Sequence, residues 1–97
     1  MILYNTTFKV DLDATNEFKI FIENYFSDEK HNKELYQLLD VDDTDGVTYC
    51  LQFLFKDLES YNAHIADHDA VFKTEIVNTF DERVLFFSSV LQKISNG

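Results

Sequence analysis

Leu38–Phe55, LLDVDDTDGVTYCLQFLF, decides the fold of this chain. The spacing predicts two strands joined at Asp45-Gly46, because a two-residue hairpin turn of the primed type needs positive φ at both central positions. Beyond the turn, Val47, Tyr49, Leu51, Phe53 and Phe55 recur with period two, so one side of the second strand is continuously apolar. Before it, Leu35–Val41 forms the partner strand, with Leu35, Leu39 and Val41 on one side and Tyr36 and Leu38 on the other.

Outward from the hairpin, a strand-plus-helix unit precedes it and a helix-plus-strand unit follows. Met1–Val10 alternates as a strand, with Ile2, Tyr4, Thr6, Phe8 and Val10 on one side and Leu3, Asn5, Thr7 and Lys9 on the other. Asp11 or Asp13 is placed to cap a helix whose buried stripe is Phe18, Phe21, Ile22 and Tyr25. That helix gives way at Ser27–Lys33. Asp57 caps a longer helix with Leu58, Tyr61, Ile65, Phe72 and Ile76 in one arc and Phe80 near its end. Arg83–Ile94 completes the chain as a strand apolar on both sides.

The order βαββαβ is that of the split βαβ, ferredoxin-like α+β fold. Right-handed crossovers place both helices on one face of a four-stranded antiparallel sheet, strand order 4-1-3-2. Without repeats, low-complexity tracts or an interior linker, residues 1–97 are expected to form a single ferredoxin-like domain.

Composition narrows the function classes. A formal net charge of −10 and a pI near 4.4 oppose binding to nucleic acid, which needs clustered Lys and Arg, and to an anionic membrane surface. The acidity serves solubility through self-repulsion. Cys50 is the single cysteine, so no intrachain disulfide forms and an oxidising compartment is not implied. The start Met-Ile-Leu-Tyr turns polar at Asn5, which reads as neither a secretion signal nor a membrane span. A cytoplasmic protein is expected.

The opening MILYNTTF (Met1–Phe8), the hairpin residues Leu38–Asp42 and Asp45–Tyr49, and the spacing Leu58, Tyr61, Phe72, Glu75, Phe80 resemble a short bacterial family of unknown function. The resemblance covers nearly the whole chain and implies a ferredoxin-like subunit of the dimeric α/β-barrel superfamily. That superfamily includes cofactor-free antibiotic-biosynthesis monooxygenases, haem-degrading monooxygenases and small lactone isomerases. Function on such a fold has to be argued from a site.

Few candidate sites arise. Asp40, Asp42, Asp43 and Asp45 crowd one turn, but counting from Asp40 puts Asp45 where a calcium loop needs glycine and Leu51 where it needs Glu. No metal is expected there. His64 and His68 lie four apart on the second helix, close enough to share a metal, yet no Glu follows His64 as zinc proteases require. The wheel puts His68 beside the apolar stripe and His64 nearer solvent. Asn5, Thr7, Thr48 and Gln52 occupy the less apolar sides of neighbouring strands and form the candidate cavity lining. In the haem-degrading relatives a first-strand Asn and a second-helix His serve the cofactor, a placement similar to Asn5 with His64 or His68. Those enzymes also use a Trp, which this chain lacks, so no cofactor is expected.

Cys50 reads as a buried inert thiol, and Ser88-Ser89 lie within a strand rather than on a nucleophile elbow. These observations favour a homodimer closed through the sheet face, a binding or structural module with room for a small apolar ligand. The alternative is a small-molecule monooxygenase or isomerase, cofactor-free or haem-linked, working in a sheet-lined cavity.

Overall fold

The computed structural model describes residues 1–27, 32–39, 42 and 44–95. Strand β1 (Ile2–Val10) leads through a short 3-10 turn (Leu12–Ala14) into helix α1 (Thr15–Tyr25). Strands β2 (Asn32–Gln37) and β3 (Val47–Phe55) follow. The second helical run has three parts: α2 (Leu58–His64), a π-helical turn (Ile65–Asp69) and α3 (Ala70–Phe80). A 3-10 turn (Asp81–Arg83) then delivers strand β4 (Val84–Gln92). The sheet order is β2-β3-β1-β4 with every pairing antiparallel, which is the expected 4-1-3-2 read from the other edge. The fold is ferredoxin-like α+β.

Alternation divides the sheet into two faces. Ile2, Tyr4, Thr6, Phe8 and Val10 of β1 point inward with Tyr49, Leu51, Phe53 and Phe55 of β3. Phe18 and Ile22 of α1 meet them, as do Phe72, Ile76 and Phe80 of α3. Ring contacts knit this layer: Phe8 lies 4.9 Å from Phe18, and Phe18 lies 5.9 Å from Phe80. Both helical runs therefore cover one face, and among the described residues the other carries none.

The hairpin differs from the expectation. Leu35 pairs with Leu51 and Gln37 with Tyr49, and Leu38 N–H donates to Thr48 O at 2.9 Å, so the connection is a loop rather than a two-residue turn. A turn at Asp45-Gly46 would bring Asp42 opposite Tyr49 and aim its carboxylate into the core, since opposed residues share a face. The observed register turns Leu35 inward instead. Strand β2 accordingly ends at Gln37, not Val41, and Val41 lies outside the described residues. Gly46 does not have positive φ. Its glycine is required by close approach: a Cβ there would sit 2.5 Å from the Val10 carbonyl oxygen.

Other boundaries shift too. Neither Asp11 nor Asp13 caps α1. Asp11 precedes the 3-10 turn without a side-chain cap bond, and Ala14 stands at the N-cap of the helix. Asp57 does cap α2, its Oδ1 accepting from Ser60 N–H at 2.8 Å. Leu58, expected in the buried arc, is exposed. β4 ends at Gln92, short of Ile94.

Candidate functional site

Register builds the helix-free face row by row. One row places Leu54, Leu3 and Leu91 on adjacent strands; the next places Glu34, Gln52, Asn5 and Ser89. Tyr36, Cys50, Thr7 and Phe87 make the third, and Thr48, Lys9 and Leu85 the fourth. Three of the four residues expected to line a cavity are joined here. Gln52 Nε2 donates to Asn5 Oδ1 at 3.3 Å, and Asn5 Nδ2 donates to Thr7 Oγ1 at 3.1 Å. Thr48 shares the face but stands a row beyond Thr7, beside Lys9.

Two further pairs of polar groups on this face are in contact. Thr7 Oγ1 is 3.8 Å from Cys50 Sγ, so the thiol sits half-buried on the open face and not in the core as expected. The Tyr36 hydroxyl donates to Glu34, and that hydrogen bond holds its pKa above the usual tyrosine value. Around this polar centre the face is apolar and wet. Phe87 is 64% exposed and Leu85 63%, with Leu91 and Tyr36 about half exposed. Among the described residues, shallow depressions indent it, three of them as follows. One of about 300 Å³ lies among Met1, Leu3, Leu54 and Leu91. A second of about 210 Å³ lies between Tyr36 and Leu54, and a third of about 310 Å³ between Thr48 and Phe87.

The two histidines lie elsewhere. His64 is 5% exposed, packed 4.9 Å from Phe53 and 5.1 Å from Phe55 on the helix-covered face, while His68 is exposed. This inverts the wheel reading, and the π turn is the reason. Eight residues from His64 to Phe72 at 100° each overshoot two turns by about 80°. A segment bonded i to i+5 rotates less per residue and absorbs the excess, so His64 and Phe72 both face inward. His64 and His68 remain neighbours, ring centroids 5.5 Å apart, but no group of three His, Cys, Asp or Glu converges on a metal site among the described residues. Asp40 and Asp43 of the acidic turn lie outside those residues. Because the sheet separates Asn5 from His64, the pair does not fit a haem held between them.

Sequence reasoning missed a polar cluster beneath the π turn. The Tyr4 hydroxyl donates to Asp69 Oδ1 at 2.7 Å and lies 3.1 Å from Ser88 Oγ, which is 2.8 Å from Thr6 Oγ1. Lys73 Nζ bridges to Asp69 Oδ2 at 3.0 Å. Burial works against the Lys73 ammonium, and hydrogen bonds with Tyr4 and Asp69 outweigh it, so its pKa rises above the usual lysine value. Burial, with the charge on Asp69 adding to it, likewise pushes the Tyr61 phenol up. The available signal was Tyr4, Thr6 and Ser88: three hydroxyls on strand positions that alternation turns towards the helices.

A family model described as a domain of unknown function (DUF4286) matches residues 1–94. No curated protein sequence matches. Among solved structures, a presumed antibiotic biosynthesis monooxygenase from Deinococcus radiodurans is similar at TM-score 0.70 and 9% identity, covering 99% of this chain and 95% of that one. A dimeric ferredoxin-like protein from an uncultured marine organism is similar at TM-score 0.66 and 13% identity, over 99% and 97%. The de novo designed protein Foldit4 is similar at TM-score 0.65 and 12% identity, over 96% and 98%. At such identities the likeness shows the fold alone. Among the described residues no helix is long and apolar enough to cross a membrane.

Proposed function

Because this chain belongs to that family of unknown function, no activity comes with the fold, and we propose that it works as a cytoplasmic, single-domain homodimer, a binding or structural module closed sheet to sheet. One observation carries the reading: the helix-free face exposes Leu85, Phe87 and Leu91 beside Leu3 and Leu54. An antiparallel sheet with a solvated face normally alternates apolar with polar. Each large apolar side chain left wet forgoes about 1.5–3 kcal/mol of burial. A second copy is the commonest cover for such a face, and one fold neighbour is described as dimeric. Sedimentation velocity at micromolar concentration is expected to give the mass of two chains; a stable monomer would overturn the proposal.

A second reading rests on the three depressions and on the neighbour named for antibiotic biosynthesis. Here the module is a monooxygenase or isomerase whose small, mostly apolar substrate is oriented by Asn5 and Gln52. Native mass spectrometry of the purified dimer separates the two. A retained small molecule, lost on Asn5→Leu, favours the second, whereas a dimer of bare mass favours the first.

A further inference from the structure

We propose that the outer edge of β4 is a further association surface, on which β4 of another copy pairs antiparallel and extends the sheet. This contact is separate from the sheet-to-sheet closure and goes beyond it. β4 stands at one end of the strand order. Its ladder with β1 is bracketed by two hydrogen bonds, Asp11 N–H to Arg83 O at 2.9 Å and Lys93 N–H to Met1 O at 3.0 Å. Alternation between them turns the N–H and C=O of Leu85, Phe87, Ser89 and Leu91 towards β1. Those of Val84, Phe86, Ser88, Val90 and Gln92 point outward, and among the described residues none of them has a backbone partner.

A row of open backbone groups is a template for strand pairing, and folded proteins guard it with charge, proline, a bulge or a short strand. β4 uses none of these. VLFFSSVLQ is nine residues long, uncharged and without proline, and its register with β1 runs unbroken from Val84 to Gln92. The opposite edge is guarded, since β2 has six residues and carries Lys33 and Glu34. Pairing β4 with another copy's β2 would be a head-to-tail contact that leaves open edges, whereas β4 with β4 closes about a two-fold axis. Charge then gives the direction. Exposed Asp81 and Glu82 flank one end of the strand, where Arg83 is tied to Glu17 at 3.3 Å, and exposed Lys93 flanks the other. Parallel pairing would set acid beside acid and lysine beside lysine. Antiparallel pairing brings each acidic end towards the partner's Lys93, so unlike charges face each other. Leu85, Phe87, Val90 and Leu91, all exposed, gain apolar cross-strand neighbours in that arrangement.

An edge contact is small and therefore weak, so it shows at high concentration. Sedimentation of the full chain is compared at tens of micromolar and near one millimolar, and the mass is expected to double between them. Val90→Pro removes an outward N–H while leaving every bond to β1 in place, which an edge strand tolerates. It is expected to keep native circular dichroism and to abolish the doubling. Val90→Lys, a guarding charge on the same edge, repeats the test should the proline variant fail to fold. Lys93→Glu, which makes both ends acidic, is expected to weaken the doubling; a stronger association would overturn the antiparallel direction. Native protein that does not double overturns the edge contact, as does doubling that persists in both Val90 variants. Either result leaves the sheet-to-sheet reading standing if two chains sediment together at tens of micromolar. A single chain there, doubling only at high concentration and not in the Val90 variants, overturns that reading and keeps the edge.

Discussion

Gly46 and Tyr4 show how single residues set this fold. Gly46 is held by space, with the Val10 carbonyl 2.5 Å from where a Cβ would project. Gly46→Asn is therefore expected to destabilise the protein as much as Gly46→Ala, by about 1–3 kcal/mol in urea unfolding, as overpacking against a fixed backbone does. Were positive φ the requirement, Asn would be the better tolerated of the two. Tyr4 reaches from the first strand to Asp69 and Ser88. Tyr4→Phe keeps the ring and removes the donor to a carboxylate, an interaction worth roughly 1.5–3 kcal/mol. A matching fall in unfolding free energy is expected, and an unchanged urea midpoint would show the hydroxyl to be incidental. The glycine stood out in the sequence, but its reason did not, since Val10 lies far away along the chain. Asp69 and Lys73 were invisible as partners of Tyr4 for the same cause.

At the scale of elements, strands were legible wherever one face is buried, because a period of two admits a single assignment of sides. Tyr4, Phe8, Tyr49, Leu51 and Phe53 all lie inward as read. The second helical run was legible in extent but not in phase. A wheel assumes constant rotation, and the turn at Ile65–Asp69 breaks it, which exchanged the environments of His64 and His68. The loop between β2 and β3 was misread because local turn preference pointed to Asp45-Gly46 while the inward placement of Leu35 set the register. Asp57 was read correctly, a short carboxylate before an apolar run. Its hydrogen bond from Ser60 N–H lowers its pKa from 3.8, so the folded state favours the ionised form. The stabilisation is complete above that value and is lost as pH falls through the lower folded-state pKa. Asp57→Asn keeps a capping oxygen but cannot titrate. The stability difference between native protein and variant is expected to stay flat at neutral pH and to change only in the acid range, followed by thermal unfolding against pH. A difference that drifts between pH 6 and 8 would exclude this carboxylate as its source.

For the whole molecule, β4 is the strand through which core and surface are coupled. Phe86 and Phe87 are adjacent in sequence, yet alternation sends Phe86 into the helix-covered layer, 6.0 Å from the ring of Phe8, and leaves Phe87 on the open face. The sequence showed that both sides of this strand are apolar; only the register with β1 says which side is which. That assignment separates folding from assembly. Phe86→Asp forces a carboxylate against the core and is expected to abolish cooperative unfolding, because burying a charge without a partner outweighs the few kcal/mol of net stability of a small domain. Phe87→Asp introduces its charge where the sheet meets solvent in one copy and, in the proposed homodimer, the sheet of the next. It is expected to retain native circular dichroism while lowering the sedimenting mass to that of one chain. If Phe87→Asp unfolded the protein, the open face would be serving the fold itself. If it remained dimeric, the partner would have to lie on another surface, and the apolar residues of β4 would require a different cover.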